Sequence, residues 1–205
     1  MFSPAARELE RGWPGRIEGD RVVQLAAQTL QSFFTGGGQA REHAEYPLED
    51  VGLRAPVLHP PSVRLFGTDG FAFANPVAIV GPDDVVHLPE GADEIVPVLR
   101  RTAIVGADGA IGGFTLLVEW VAPDLPGAKR NDFALSLGPV VLTREEVPGL
   151  ELEPLLAHAA QNTRLLSGDL LAAPGEELPA AGAGAVVEAA VEPFGVLRSR
   201  VEKRG

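Results

Sequence analysis

The chain has no cysteine among its 205 residues. Disulfides, thiolate metal sites and a cysteine nucleophile are therefore excluded. Lysine is almost missing too: Lys129 and Lys203 are the only two. Positive charge is scarce overall, with 17 Lys and Arg against 28 Asp and Glu and a formal net charge of −11. A nucleic-acid surface needs clustered cations, so this balance argues against one. No apolar run approaches the roughly 20 residues of a membrane helix. The first residues lack the apolar stretch of a secretion signal, which leaves a cytoplasmic location as the expectation. The four histidines, His43, His59, His87 and His158, share no metal-ligand spacing. Ser136 and Ser167 sit in no nucleophile motif with a histidine partner.

What is present reads as short strands and turns. Gly15–Leu25 is a hairpin around Glu18-Gly19-Asp20. Residues 26–34 carry helical spacing (Ala27, Leu30, Phe34) and stop at Gly36-Gly37-Gly38. Glu42, Glu45, Glu49 and Asp50 form an acidic run that suits a solvated face. His59-Pro60-Pro61 marks a boundary. Beyond it, strands are expected at 63–66, 77–80, 95–105, 114–121 and 139–143, with a hairpin turn at Gly106-Ala107-Asp108-Gly109. A helix is expected over 153–165, a strand over 168–173, and a last hairpin from 186–191 to 196–201. Strands at this spacing, without β-α-β alternation, predict a closed or sandwiched β architecture and not a Rossmann-type one.

Six segments in order resemble the fumarylacetoacetate hydrolase family. They are Arg54–Gly67 (RAPVLHPPSVRLFG), Ala74–Glu94, Gly112–Leu125 (GGFTLLVEWVAPDL), Ala128–Thr143 (AKRNDFALSLGPVVLT), Ser167–Pro174 (SGDLLAAP) and Phe194–Val201 (FGVLRSRV). The resemblance implies an α+β, mainly β fold: a mixed β-sandwich roll (61–205) behind a small N-terminal domain (1–60). It also implies a homodimer and a small-molecule substrate.

The departures from the family pattern are chemical. Family members hold a divalent cation with a Glu-X-Glu pair on one strand and an Asp on the next. Two glutamates at i and i+2 share a strand face, so both reach one hard ion. Here the pair falls on Val98 and Arg100, and the Asp falls on Glu119. One carboxylate beside a guanidinium cannot make a Mg²⁺ or Ca²⁺ site, so no metal and no cofactor is expected, Mg²⁺ or Mn²⁺ entering only in the metal-dependent alternative. Only carboxylates upstream, Glu90, Asp93 and Glu94, offer a rescue for a metal-dependent hydrolase. The family lid, with its water-activating His-X-X-Glu dyad, is cut to GTDGFAF (67–73). Lys129 and Asp132 match the family's lysine loop.

The candidate catalytic residues are therefore Arg100 as a fixed cation, Glu119 as its counter-ion or a base, and Lys129 as a stabiliser of enolate charge. An ordinary structural ion pair between Arg100 and Glu119 is an equal reading, as is a solvated loop lysine for Lys129. Phe66, Phe73, Val98 and Asp132 are the candidate substrate contacts, with core packing an equal reading for the two phenylalanines, and Trp120 is expected in the core. These residues suit a metal-independent isomerisation, cyclisation, decarboxylation or C–C cleavage of an enolisable carbonyl compound, in bacterial secondary metabolism. A metal-dependent C–C hydrolase and a non-catalytic binding protein are the alternatives.

Overall fold

The computed structural model describes residues 1–5, 9 and 11–204. Its first strands are β1 (Phe2–Pro4), β2 (Gly15–Glu18), β3 (Arg21–Leu25), β4 (Glu42–Pro47) and β5 (Val51–Leu53). The next are β6 (Val63–Gly67), β7 (Gly70–Ala74), β8 (Ile79–Val80), β9 (Val85–Leu88), β10 (Glu94–Val105), β11 (Ile111–Val121) and β12 (Leu135–Leu142). Then come β13 (Leu170–Ala172), β14 (Glu176–Glu177), β15 (Ala181–Gly182), β16 (Val186–Val191) and β17 (Gly195–Lys203). Two short helices, α1 (Leu30–Thr35) and α2 (Glu153–Ala159), interrupt them. No described helix is long and apolar enough to cross a membrane.

One nine-stranded sheet dominates, in the order β7-β6-β13-β10-β11-β12-β8, with β14 and β15 also paired to β10. β10 and β11 form its long central hairpin. Alternation sends the two faces to two cores. Ile104, Leu117, Leu135, Leu137 and Leu170 pack with Ala55 and Val57, against which Leu30 and Phe34 lie. Phe114, Leu116, Val118 and Trp120 pack the other way, with Val86, Leu197 and Val201 of the three-stranded sheet β16-β17-β9. A hydrogen bond also joins the two layers: the Ser136 and Ser199 hydroxyls meet at 2.9 Å, and within the large sheet Trp120 Nε1 donates to Ser136 Oγ at 2.9 Å. Trp120 is fully buried, as its place on one strand face between the apolar Val118 and Ala122 predicts. Residues before 54 form two small sheets of their own, β1-β5 and β2-β3-β4.

Several expectations shift at their ends. The first helix begins at Leu30, not at 26, because Thr29 and Ser32 form a reciprocal capping box there. The second stops at Ala159 and does not run to 165; Asn162 adopts φ 60°, which no helix continues through. The acidic run lies partly on β4, where Glu42 and Glu45 pair across the sheet with Arg16 and Arg21 at 2.6 and 2.9 Å. β7, β4 and β9 are strands that periodicity alone missed. β6 turns directly into β7, with Gly67 opposite Gly70, so the lid position holds a tight hairpin.

A buried polar cluster fixes the parallel pair β6–β13. Ser62 Oγ donates to Asp169 Oδ1 at 2.6 Å and accepts from Arg64 Nη1 at 2.5 Å, while Arg64 and Asp169 lie 3.6 Å apart. The hydroxyl bridges two charges that barely touch, both almost wholly buried. Removing it leaves buried donors and acceptors without partners, which costs about 1–3 kcal/mol. Ser62→Ala is therefore expected to lower the urea midpoint by that much with an unchanged m-value; a shift within error would assign the pair no need of its bridge.

Candidate active site

The face that carries the first core ends in polar residues. Val98 lies directly opposite Glu119 across the β10–β11 pair, and Arg100 follows Val98 by two residues. All three side chains therefore stand on one face. Leu135 of β12 faces Glu119 from the other side, and Glu177 of β14 faces Val98. The strand pattern thus brings Arg100, Glu119 and Val98 into one patch beside the apolar Leu117 and Leu135.

Arg100 is spent on the protein itself. Its Nε and Nη2 donate to Glu119 Oε2 at 3.0 and 2.8 Å. Its Nη1 donates to the carbonyls of Phe66 and Ala173, both at 3.0 Å. Those carbonyls lie at the end of β6 and just beyond β13, where the two parallel strands run out of partners. The planar fork of arginine serves these acceptors at once, which an ammonium could not do. Asn131 donates to the second oxygen of Glu119 at 2.8 Å. With side-chain exposures of 14% and 7%, the pair is mostly shielded from water.

The strand that closes the patch is irregular. Thr102 is opposite Ala172, but Leu99 is opposite Glu176, so one extra residue is inserted over Ala173–Gly175. Such a bulge bends the strand over its neighbour. Gly175 lies in it, and a Cβ there would stand 2.5 Å from Val98 Cγ1 and 2.9 Å from Arg100 Cγ. Only glycine permits this approach, which seals Val98 to 9% exposure.

The lysine loop reaches the patch through Asn131, which ends a 3₁₀ turn over Gly127–Arg130. Lys129 itself points outward, 76% exposed, and pairs with Asp132 at 2.7 Å. Asn75 donates to the Asp132 carbonyl and ties the loop to the segment after β7. Lys129 and Asp132 are thus brought together with each other, and to Glu119 only through Asn131. Phe66 and Phe73 are a correction. Their rings belong to the opposite face, because Phe66 is paired with Phe71 and Phe73 with Arg64 on alternating strands. Phe66 meets Phe71 and His158, and Phe73 is 68% exposed beneath the Arg64 guanidinium. Only the Phe66 carbonyl touches the site. Asn131 and Glu177 were missed from sequence. Asn131 had a signal in its place two residues after Lys129, whereas Glu177 becomes visible only through the bulge.

No family model matches the chain, and no curated protein sequence does. Solved structures do. Maleylpyruvate hydrolase from Sphingobium sp. SYK-6 superposes with a TM-score of 0.81 at 19% identity, covering 95% of this chain and 97% of that one. This chain has the fold of the fumarylacetoacetate hydrolases. The 5-carboxymethyl-2-hydroxymuconate delta-isomerase of Mycobacterium smegmatis shares it at a TM-score of 0.75 and 18% identity, over 94% of both chains. A 2-keto-3-deoxy-D-arabinonate dehydratase does so at 0.78 and 15%, over 96% and 97%. The hydrolase has also been solved with manganese(II) and pyruvate, and the dehydratase with magnesium and 2,5-dioxopentanoate.

The residues of this chain do not fit such an ion. A hard divalent cation takes six or more oxygens, several of them carboxylate. Here Glu119 is the carboxylate at the centre, both its oxygens are engaged, and a permanent cation lies 2.8 Å away. Among the described residues, no group of three or more His, Cys, Asp or Glu gathers into a cation site. Glu94 is four residues from Val98 along an extended strand, about 13 Å away, and Glu90, Asp93 and Glu94 are all exposed.

Proposed function

We propose that the chain is a metal-independent enzyme of this fold that acts on a small 2-oxo or other enolisable carboxylic acid. The observation that carries this reading is Arg100: the cation at the centre of the face belongs to the chain. The names of the similar solved enzymes support the substrate class, since pyruvate and 2,5-dioxopentanoate are the compounds bound to two of them.

In this reading Glu119 is the counter-ion that fixes Arg100, and Asn131 carries that constraint into the lysine loop. Lys129, exposed to solvent and paired with Asp132, is the cation that meets the substrate. Enolisation breaks the C3–H bond; its proton passes to a carboxylate, and its electrons form the C2–C3 double bond. The negative charge arrives on the C2 oxygen, where an ammonium stabilises it. Asp132, 2.7 Å from Lys129, is the carboxylate nearest to that place. The substrate is a free small molecule, and the active species is a homodimer in the cytoplasm.

The test is solvent-deuterium exchange at C3 of 2-oxobutanoate, followed by proton NMR in the presence of EDTA. Exchange is expected to be saturable, and Lys129→Met is expected to slow it by about 10²-fold, the lower end for a positioned acid–base group. Lys129 is exposed, so the variant should fold normally. Exchange at the uncatalysed rate in the parent protein would overturn the enzymatic reading. A second reading, a non-catalytic binding protein, is favoured by the engagement of Arg100 and Glu119 with protein partners. It requires binding of the oxo acid without exchange.

A further inference from the structure

A cleft of about 710 Å³ opens on the opposite side of β10 from the Arg100–Glu119 pair. Its apolar lining includes Leu99, Leu150, Leu152 and Leu178. Two charges of opposite sign stand in it, Arg101 and Glu176. Both are exposed, and neither side chain has a hydrogen bond or ion pair among the described residues. Glu188, the other acid of the lining, is already held by Arg198 at 2.8 Å.

Register explains why the two free charges share this cleft. Glu176 lies opposite Leu99, and Arg101 is two residues further along the same face of β10. Diagonal neighbours on a sheet lie within reach of long side chains. Yet the two charged groups remain more than ion-pair distance apart, leaving an opening between a donor fork and a carboxylate, walled by leucines. A ligand that fills it must present an anion to Arg101, a cation to Glu176 and an apolar body to the walls.

We propose that this cleft binds an α-amino acid with an apolar side chain. Its carboxylate meets the Arg101 guanidinium in two parallel hydrogen bonds, and its ammonium meets Glu176. The leucine walls take the side chain. The cleft also touches the candidate active site by one route. Its lining includes Ala173, Pro174 and Gly175, and Arg100 holds the Ala173 carbonyl while Gly175 rests on Val98. The proposal rests on this cleft alone and does not depend on the 2-oxo-acid reading.

Isothermal titration of the whole protein with L-leucine tests it. Saturable one-to-one binding is expected. N-acetyl-L-leucine, which lacks the cation, and L-leucinamide, which lacks the anion, should each bind at least about tenfold more weakly. Arg101→Met and Glu176→Gln should each weaken L-leucine by a similar factor, and surface substitutions at such exposed positions should leave the fold intact. Absence of saturable binding would overturn the proposal. So would equal affinity for isovalerate, or variants that bind L-leucine as the parent does.

Discussion

Arg100→Met is expected to destabilise the protein by about 3–5 kcal/mol, the range for removing one partner of a buried ion pair. In a chain of this length that lowers the melting temperature by about 10 °C. The size follows from what the guanidinium holds. Its loss strands the Glu119 carboxylate at 7% side-chain exposure, and it frees the carbonyls of Phe66 and Ala173 at the ends of two parallel strands. Each buried acceptor left open adds to the cost. Glu119→Gln in the Arg100→Met background is expected to recover part of the loss, because no charge then remains to be desolvated. Differential scanning calorimetry on the two single variants and the double variant closes the cycle. A loss below about 1 kcal/mol for Arg100→Met would be that of a surface pair, and would remove Arg100 from the centre of the account.

The second large effect is a gain. Val98→Glu combined with Arg100→Glu is expected to create a Mn²⁺ site. Val98 faces Glu119 directly and Arg100 shares its face, so the double variant places three carboxylates on one patch. Glu177, opposite Val98 on β14, can add a fourth. Three carboxylates at close range repel one another, so the metal-free variant should be much less stable than the parent. Mn²⁺ should restore it by mass action, about 2.7 kcal/mol at a hundred times the dissociation constant. A melting temperature that climbs with Mn²⁺ concentration, in the variant and not in the parent, is the expected result. A folded variant indifferent to Mn²⁺ would show that these positions do not converge as the strand register implies.

Much of this was legible in the sequence because it depends on alternation and register. The β10–β11 hairpin follows from its length and from Gly106–Gly109, and Arg100 and Glu119 on neighbouring strands follow from it. Which of their hydrogen bonds are free does not follow. That depends on where β6 and β13 end, since their last carbonyls fill the arginine, and on Asn131, whose loop has no periodicity to read. Of the two readings of Phe66 and Phe73, that of substrate contacts fails for a related reason. Placing them beside a pocket assumed an open loop at 67–73, whereas a two-residue turn makes β7 a strand and fixes its rings on the far side. The bulge over Ala173–Gly175 is invisible to pattern, although Gly175 marks it once the register is known.

In the proposed reading the cation of this site is Arg100 and not a bound metal. Titration of Mn²⁺ into the parent protein, with the free ion followed by electron paramagnetic resonance, tests it most directly. The expected result is no stoichiometric binding, and deuterium exchange into 2-oxobutanoate that EDTA leaves unchanged. One tightly bound Mn²⁺ per chain, with exchange abolished by EDTA and restored by the metal, would contradict it.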